Sequence, residues 1–323
     1  MSHVPHGCSK VSAHPYPSQT GSDRSCPIKS LPIIDAVAIT AGQPYRRALE
    51  AAVSEQSVVL DVGTGTGVLA CFAASAGAKR VYAVEQSPVA EIARRSARTF
   101  GGRVLVQRTN IAEAHIPEPV DLIVSEWMGA FGVDENLLGM VLLARDRWLA
   151  RGGRLLPQQV SAHMAPLANA SACSAPPSGE RQVQFTAMRW AASGVPAECL
   201  LASGQVLWST DMASTQAAQA ALPFRGSAQW IAERAGRLEG LVTWFEAGFG
   251  ADITLSNAPG APATHWGQFV FALERPMLLR SGSRIEAQLS TIPVSPGYCH
   301  HAYSVRVDQG TWQHHDTRGS RRQ

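Results

Sequence analysis

The sequence predicts an α/β chain, with a Rossmann-like, doubly wound sheet over residues 31–157 and a mostly antiparallel, barrel-like β domain over residues 158–312. Three observations carry that prediction. Short apolar runs alternate with helical segments from Gln43 to Pro157, as parallel sheets with crossover helices require. A glycine-rich turn, Gly63-Thr64-Gly65-Thr66-Gly67, sits between the first apolar run and the helix that follows it. Beyond Pro157 the 3.6-residue period gives way to short alternating or aromatic runs separated by Gly, Pro, Ser and Asn.

Taken in order, PYRRALEAAV from Pro44 reads as a helix, SVVLDV as a strand ending at Val62, and VLACFAASAG as a helix closed by Gly77. VYAVE (81–85) is a second strand, and Ser87-Pro88 offers an N-cap and first-turn proline to a helix running to Gly101-Gly102. VLVQ (104–107) and DLIVSE (121–126) are further strands, and ENLLGMVLLARDRWLA is a strongly apolar helix before RGGRLLP. In the second half LEGLVTWFEAGF, HWGQFVFAL and RIEAQLSTI read as strands. Residues 165–235 are Ala/Ser-rich, with SAPPSG (174–179) as a surface loop. Residues 1–30 and 313–323 lack periodicity and read as tails.

Composition narrows the function classes. The 323 residues are 45% hydrophobic and 16% charged, enough to bury a large core. A net charge of +3 without any basic run lacks the footprint of a nucleic-acid binder. No apolar stretch approaches the ~20 residues that span a bilayer, and the N-terminus has no signal-peptide core, so the expectation is a cytoplasmic protein without membrane partners. Six cysteines without a CxxC pair or His-rich spacing read as reduced thiols, and no metal site is expected. Only Lys10, Lys29 and Lys79 are lysines, against many Arg, Ala and Gly, a bias expected of a GC-rich genome.

Asp61 precedes the glycine turn and Glu85 ends the next strand. An acid at that strand end can accept both ribose hydroxyls of a nucleoside, which fits S-adenosylmethionine as well as NAD; the GxGxG spacing favours the former. In SEWMGAFGVDENLL two glutamates, Glu126 and Glu135, stand nine positions apart in weakly charged sequence. Each alone reads as a strand-end or helix-N-terminal acid.

Together, VLDVGTGTGVLA, VYAVEQS, VDLIVSEWMG with Glu135 beyond it, VLLARDRWLARGGRLLP and Thr264-His265-Trp266 resemble, in order and spacing, the protein arginine methyltransferases. The resemblance runs from about Tyr45 to Leu273. It implies a class I, S-adenosyl-L-methionine-dependent enzyme with Glu126 and Glu135 as catalytic clamp and His265 shaping the pocket and assisting proton removal. Asp61, Gly63, Gly65, Gly67 and Glu85 would contact the donor, with Glu113 beside Ala112, where the family carries its adenine-contacting acid. Trp127, Met128 and Trp266 would line the substrate pocket. Family spacing selects Glu135 over the adjacent Asp134. The family also implies a homodimer built through a helical arm, expected within residues 190–220.

The chemistry accounts for paired carboxylates. A guanidinium, with a pKa above about 12, arrives charged and planar with its lone pairs delocalised. Two carboxylates accepting its N–H groups hold the plane and leave the remaining nitrogen relatively electron-rich. Departures from the family pattern are the missing Tyr-Phe-x-x-Tyr lid motif, Ala41 where the donor-gripping arginine belongs, and a remodelled loop between the glutamates. They lean the reading towards free L-arginine in bacterial natural-product (antibiotic) biosynthesis of the streptozotocin type. Arginine residues in proteins are the alternative substrate; methylation of another small amine and a non-catalytic, donor-binding scaffold are the readings of other kinds.

Overall fold

The computed structural model describes residues 42–168, 188–191, 194–262 and 264–317. The expected N-terminal tail, the lid segment through Ala41 and the SAPPSG loop lie outside them.

Helix α1 (Gly42–Ala52) turns its Tyr45, Ala48 and Leu49 face inward and leads into a five-stranded parallel sheet. The strands are β1 (Val58–Val62), β2 (Arg80–Glu85), β3 (Val104–Arg108), β4 (Val120–Val124) and β5 (Leu149–Leu156), in spatial order β3-β2-β1-β4-β5. All five residues of β1 are buried, because helices cover both faces of this central strand. The covering helices include α2 (Val68–Ser75), α3 (Ala90–Ala97) and α4 (Leu138–Trp148). Strand order reverses between β1 and β4, so a crevice opens at their carboxyl ends, the usual ligand position in open α/β sheets.

Helix α4 starts three residues later than its apolar pattern predicts. Asn136 takes φ 52°, a left-handed conformation that a right-handed helix cannot include, so Glu135 stays on the preceding loop. Helix α3 likewise begins at Ala90: Ser87 accepts from Val89 N–H (3.3 Å) and Ala90 N–H (3.2 Å) in a turn ahead of it.

The parallel sheet ends at Leu156, and antiparallel pairing begins at β6 (Gln159–Leu167). One sheet runs β7 (Met188–Ala191), β12 (Gln268–Leu279), β10 (Gly236–Gly248), β6, β8 (Gln205–Asp211), with β11 (Thr254–Ser256) added to β10. A second runs β15 (Gln313–Asp316), β14 (Tyr298–Val307), β13 (Arg284–Ser295), β9 (Phe224–Ile231). Their inner faces share an apolar core around Phe131, Met164, Leu238, Leu241, Phe271 and Tyr303.

Two expectations need correction. Residues 313–316 are not tail: they pair with β14, and His315 stacks on Tyr303 at 4.6 Å. The described part of the expected helical arm, 194–220, holds β8 and short 3-10 turns (Ala197–Cys199 and Ala217–Ala221) but no α-helix, since the edge of β6 captures Gln205–Asp211 as a strand.

Candidate active site

The glycine turn leaves β1 at the switch point. Gly63, Gly65 and Gly67 have φ of 70°, 54° and 88°, and a Cβ on Gly67 would lie 3.1 Å from Ala93 of α3, so the close approach of loop and helix needs glycine there. Asp61 braces this turn from within. Fully buried, it accepts from Thr64 Oγ1 and from Ala70 N–H (2.9 Å), and burial pushes its carboxyl up to about 7. Glu85 closes the loop from the next strand: Oε2 accepts Gly65 N–H (3.1 Å) and Oε1 accepts Ser87 N–H (2.7 Å).

A cavity of about 300 Å³ opens above these strand ends, lined by Gly63, Glu85, Gln86, Thr109, Ile111, Glu126, Trp127, Glu135, Leu137 and Met140 among others. It has the polar-plus-apolar lining and the size of a nucleoside site. Of the expected donor residues it brings together Gly63 and Glu85. Asp61, Gly65 and Gly67 act one layer back, on the loop itself. Glu113 is not part of the cavity: Ile111–Glu113 is a single 3-10 turn, and with Ile111 facing inward Glu113 faces solvent.

Glu126 follows β4. Its Oε1 accepts the Trp266 indole N–H (3.1 Å) and the Met128 amide (3.3 Å), which leaves Oε2 without a protein donor among the described residues. Burial, and then the charge of Glu135, push its pKa up to about 7. Glu135 is also raised, by burial. A second cavity, about 340 Å³, is lined by Glu126, Gly129, Ala130, Asp134, Glu135, His265, Trp266 and Phe269. Among the described residues the two glutamates alone line both cavities, and so they form the partition between them.

The remaining expected residues separate. Trp266 is buried on the clamp side with His265 packed on it, ring centroids 4.0 Å apart. His265 stands at the rim, its pKa below the usual value through partial desolvation. Trp127 lines the nucleoside-sized cavity rather than the clamp side, and its buried indole N–H has no partner among the described residues. Met128 lines neither: the chain reverses at Gly129 (φ 60°), turning Met128 into the core with its Sδ 3.6 Å from Tyr45 Oη.

Sequence reasoning passed over Asp134, except as a rejected clamp. Its carboxylate accepts the amides of Ala130 (2.9 Å) and Phe131 (3.0 Å) and so closes the loop between the glutamates; burial pushes it up to about 6. A Cβ on Gly129 would collide with that carboxylate. Gly129→Ala is therefore expected to open the loop and lower kcat by roughly tenfold or more, since small misplacements of positioning groups carry such factors. Turnover with saturating donor, alongside Tm, checks this; wild-type turnover would show that the loop closure does not set the clamp.

Two sequence profiles match the chain: the arginine methyltransferase oligomerization subdomain over residues 182–308 and ribosomal protein L11 methyltransferase over residues 46–128. Protein arginine N-methyltransferase 1 of rice (Oryza sativa subsp. indica) is 33% identical over 262 residues, covering 74% of this chain and 65% of the relative. The protein of that name from Saccharomyces cerevisiae is 30% identical over 260 residues, covering 74% and 73%. The chain thus spans 65% of the length of the rice relative. Among solved structures, the Trypanosoma brucei enzyme–prozyme heterotetrameric complex with AdoHcy superposes with a TM-score of 0.73 at 25% identity over 88% of this chain and 97% of that one. Arabidopsis thaliana protein arginine methyltransferase 10 shares the fold, with a TM-score of 0.73 at 22% identity over 87% and 95%. Parallel sheet, antiparallel domain, paired glutamates between two cavities and these likenesses agree: the chain belongs to the protein arginine methyltransferase family.

Proposed function

We propose that the protein transfers a methyl group from S-adenosyl-L-methionine to a guanidino nitrogen of arginine residues in a protein or peptide. The observation that carries this reading is the partition of two cavities by Glu126 and Glu135. The donor supplies an electrophilic methyl on a sulfonium. Gly63 and Glu85 would hold its backbone-facing and ribose portions, with Ile111, Leu137 and Met140 as apolar walls. On the other side Glu126 Oε2 and the Glu135 carboxylate accept guanidinium N–H groups, each charge-assisted bond contributing about 1.5–3 kcal/mol. They also offset the repulsion between a cationic substrate and a cationic donor. His265 at the rim, kept neutral by its lowered pKa, can receive the proton released on methylation.

The lean towards free arginine draws no support from the relatives, whose names specify protein arginine and, for plant relatives at 30% identity, histone arginine. The clamp-side lining argues in the same direction. It presents three carboxylates and, among the described residues, no Lys or Arg to receive the carboxylate of a free amino acid. Nothing observed supports a role in antibiotic biosynthesis. A homodimer fits the matched oligomerization subdomain and remains part of this proposal. Mass spectrometry of products from labelled donor with an Arg/Gly-rich peptide and with free L-arginine decides the substrate. Methylated peptide is the expected result; methylated free arginine alone would restore the other substrate, and donor binding without methylation of either would overturn the proposal.

A further inference from the structure

The loop carrying the glutamates and the loop carrying Thr264, His265 and Trp266 face each other across the substrate-side cavity, yet they come from different domains. One buried side chain touches both. Asn257, 3% exposed, directly follows β11 and pairs with Phe245 of β10 through its own Oδ1, which accepts the Phe245 amide at 2.8 Å. Its Nδ2 donates one hydrogen to the Ala130 carbonyl (2.8 Å), inside the glutamate loop, and the other to the Gly267 carbonyl (2.5 Å), at the end of the Thr264–Trp266 turn. The orientation of the amide follows from its partners, because the flipped arrangement would set an oxygen against two carbonyls. Its backbone carbonyl in turn accepts from Gln268 Nε2, and Gln268 Oε1 accepts the Val195 amide, which anchors the hub to the antiparallel sheet.

We infer that Asn257 is a positioning residue that locks the two substrate-facing loops into a single unit and thereby presets Glu126 against Trp266. The side chain commits both donor hydrogens and its oxygen to backbone partners. Among the described residues, a second side-chain bond joins the loops, from the Trp266 indole N–H to Glu126 Oε1 at the cavity wall. Without the Asn257 bridge, the placement of Glu126 would rest on the Trp266 indole and the Met128 amide. The backbone of the glutamate loop is held to the second domain at two further points, Gly297 N–H to the Glu135 carbonyl (2.6 Å) and Cys299 Sγ–H to the Val133 carbonyl (3.5 Å). Both lie on the far half of the loop; in the near half, next to Glu126, Asn257 supplies the hydrogen bond to the second domain, beside the packing of Phe131 on Phe269 and Phe271.

This inference rests on the proposed methyl transfer for its kinetic readout but not for its structural one. Asn257→Asp keeps the acceptor for Phe245 and turns both donors into an oxygen facing two carbonyls; Asn257→Ser is too short to reach either and introduces no charge. In the full-length protein, hydrogen–deuterium exchange is expected to quicken together in residues 129–135 and 264–267 of both variants, with β1–β4 unchanged. With Arg/Gly-rich peptide, kcat is expected to fall at least tenfold while donor affinity holds. The acidic limb of the kcat/KM profile is expected to move to lower pH as water reaches Glu126. Quickened exchange in one loop alone, or wild-type kcat and pH profile in both variants, would overturn the inference. Should Asn257→Asp fail to fold, Asn257→Ser carries the test; should the wild type methylate no guanidine, the exchange data alone decide.

Discussion

Glu126→Gln and Glu135→Gln are each expected to lower kcat by roughly 100- to 1,000-fold while donor affinity stays within about threefold, a loss of the size seen when one preorganised electrostatic group is removed. The argument for Glu126 is electrostatic rather than structural. In Glu126→Gln the amide oxygen still accepts from Trp266 and the Met128 amide, so the loop keeps its anchors. What changes is the group at Oε2: an NH₂ replaces an acceptor, faces the N–H edge of the guanidinium and carries no charge. Losing a charge-assisted bond and gaining an unsatisfied donor costs a few kcal/mol, and each ~1.4 kcal/mol on the barrier is tenfold in rate. Glu135→Gln removes the second tine of the fork, so the guanidinium also loses its fixed plane. Donor binding survives because Gly63 and Glu85 lie on the other side of the partition. Calorimetric donor titration beside single-turnover methylation measures both halves; either variant keeping more than about a tenth of wild-type turnover would show that the clamp is misassigned.

The parallel half of the fold was legible because it has local causes, whereas the glutamates, each alone an ordinary strand-end or helix-N-terminal acid, stood out only through the family resemblance. Alternating apolar runs force strands and helices, and a glycine turn between a strand and a helix has few uses. What was not legible depends on which way a chain reverses. Met128 follows Glu126 by two residues and reads as a pocket residue, but the left-handed turn at Gly129 buries it. Glu113 fails by one 3-10 turn: three residues suffice to put Ile111 inside and Glu113 outside. The strand at Gln313–Asp316 has a weak pattern of its own and exists because β14 offers an open edge. Asn257 and Asp134 bear no motif at all. The role of Asn257 comes from a carbonyl 127 positions away, and that of Asp134 from amides three and four positions back that face it only once the chain reverses at Gly129.

The pH profile is expected to show a single acidic limb in kcat/KM with an apparent pKa near 7, above the ordinary carboxylate range. Glu126, pushed up to about 7 by burial and by Glu135, must be ionised to accept a guanidinium, so activity should rise about tenfold per pH unit just below that value, more steeply where Glu135 is protonated as well, and level off above it. Desolvation lowers the His265 pKa, which moves any contribution from it to the acidic side of its ordinary range. A bound guanidinium stabilises the ionised carboxylates, so the limb in kcat should lie below the limb in kcat/KM, and substrate binding below pH ~7 should release protons. Stability follows with the opposite sign. Glu126, Asp61 (about 7) and Asp134 (about 6) all have folded pKa values above their unfolded ones. At these three groups the native state holds more protons than the unfolded chain between about pH 4 and 7, so the stability they contribute at low pH is lost as pH rises through that window, while buried His301, lowered to about 4, acts with the opposite sign. Substrate should restore the share due to Glu126 and Glu135, whereas the share due to Asp61, sealed under the glycine turn and facing neither cavity, should persist. Tm measured across this range with and without Arg/Gly-rich peptide separates the two. A wild-type Tm that falls no more steeply between about pH 5 and 7 than that of Glu126→Gln, or a kcat/KM limb near 4.5, would mean that Glu126 is solvated and the clamp does not stand at a dry partition.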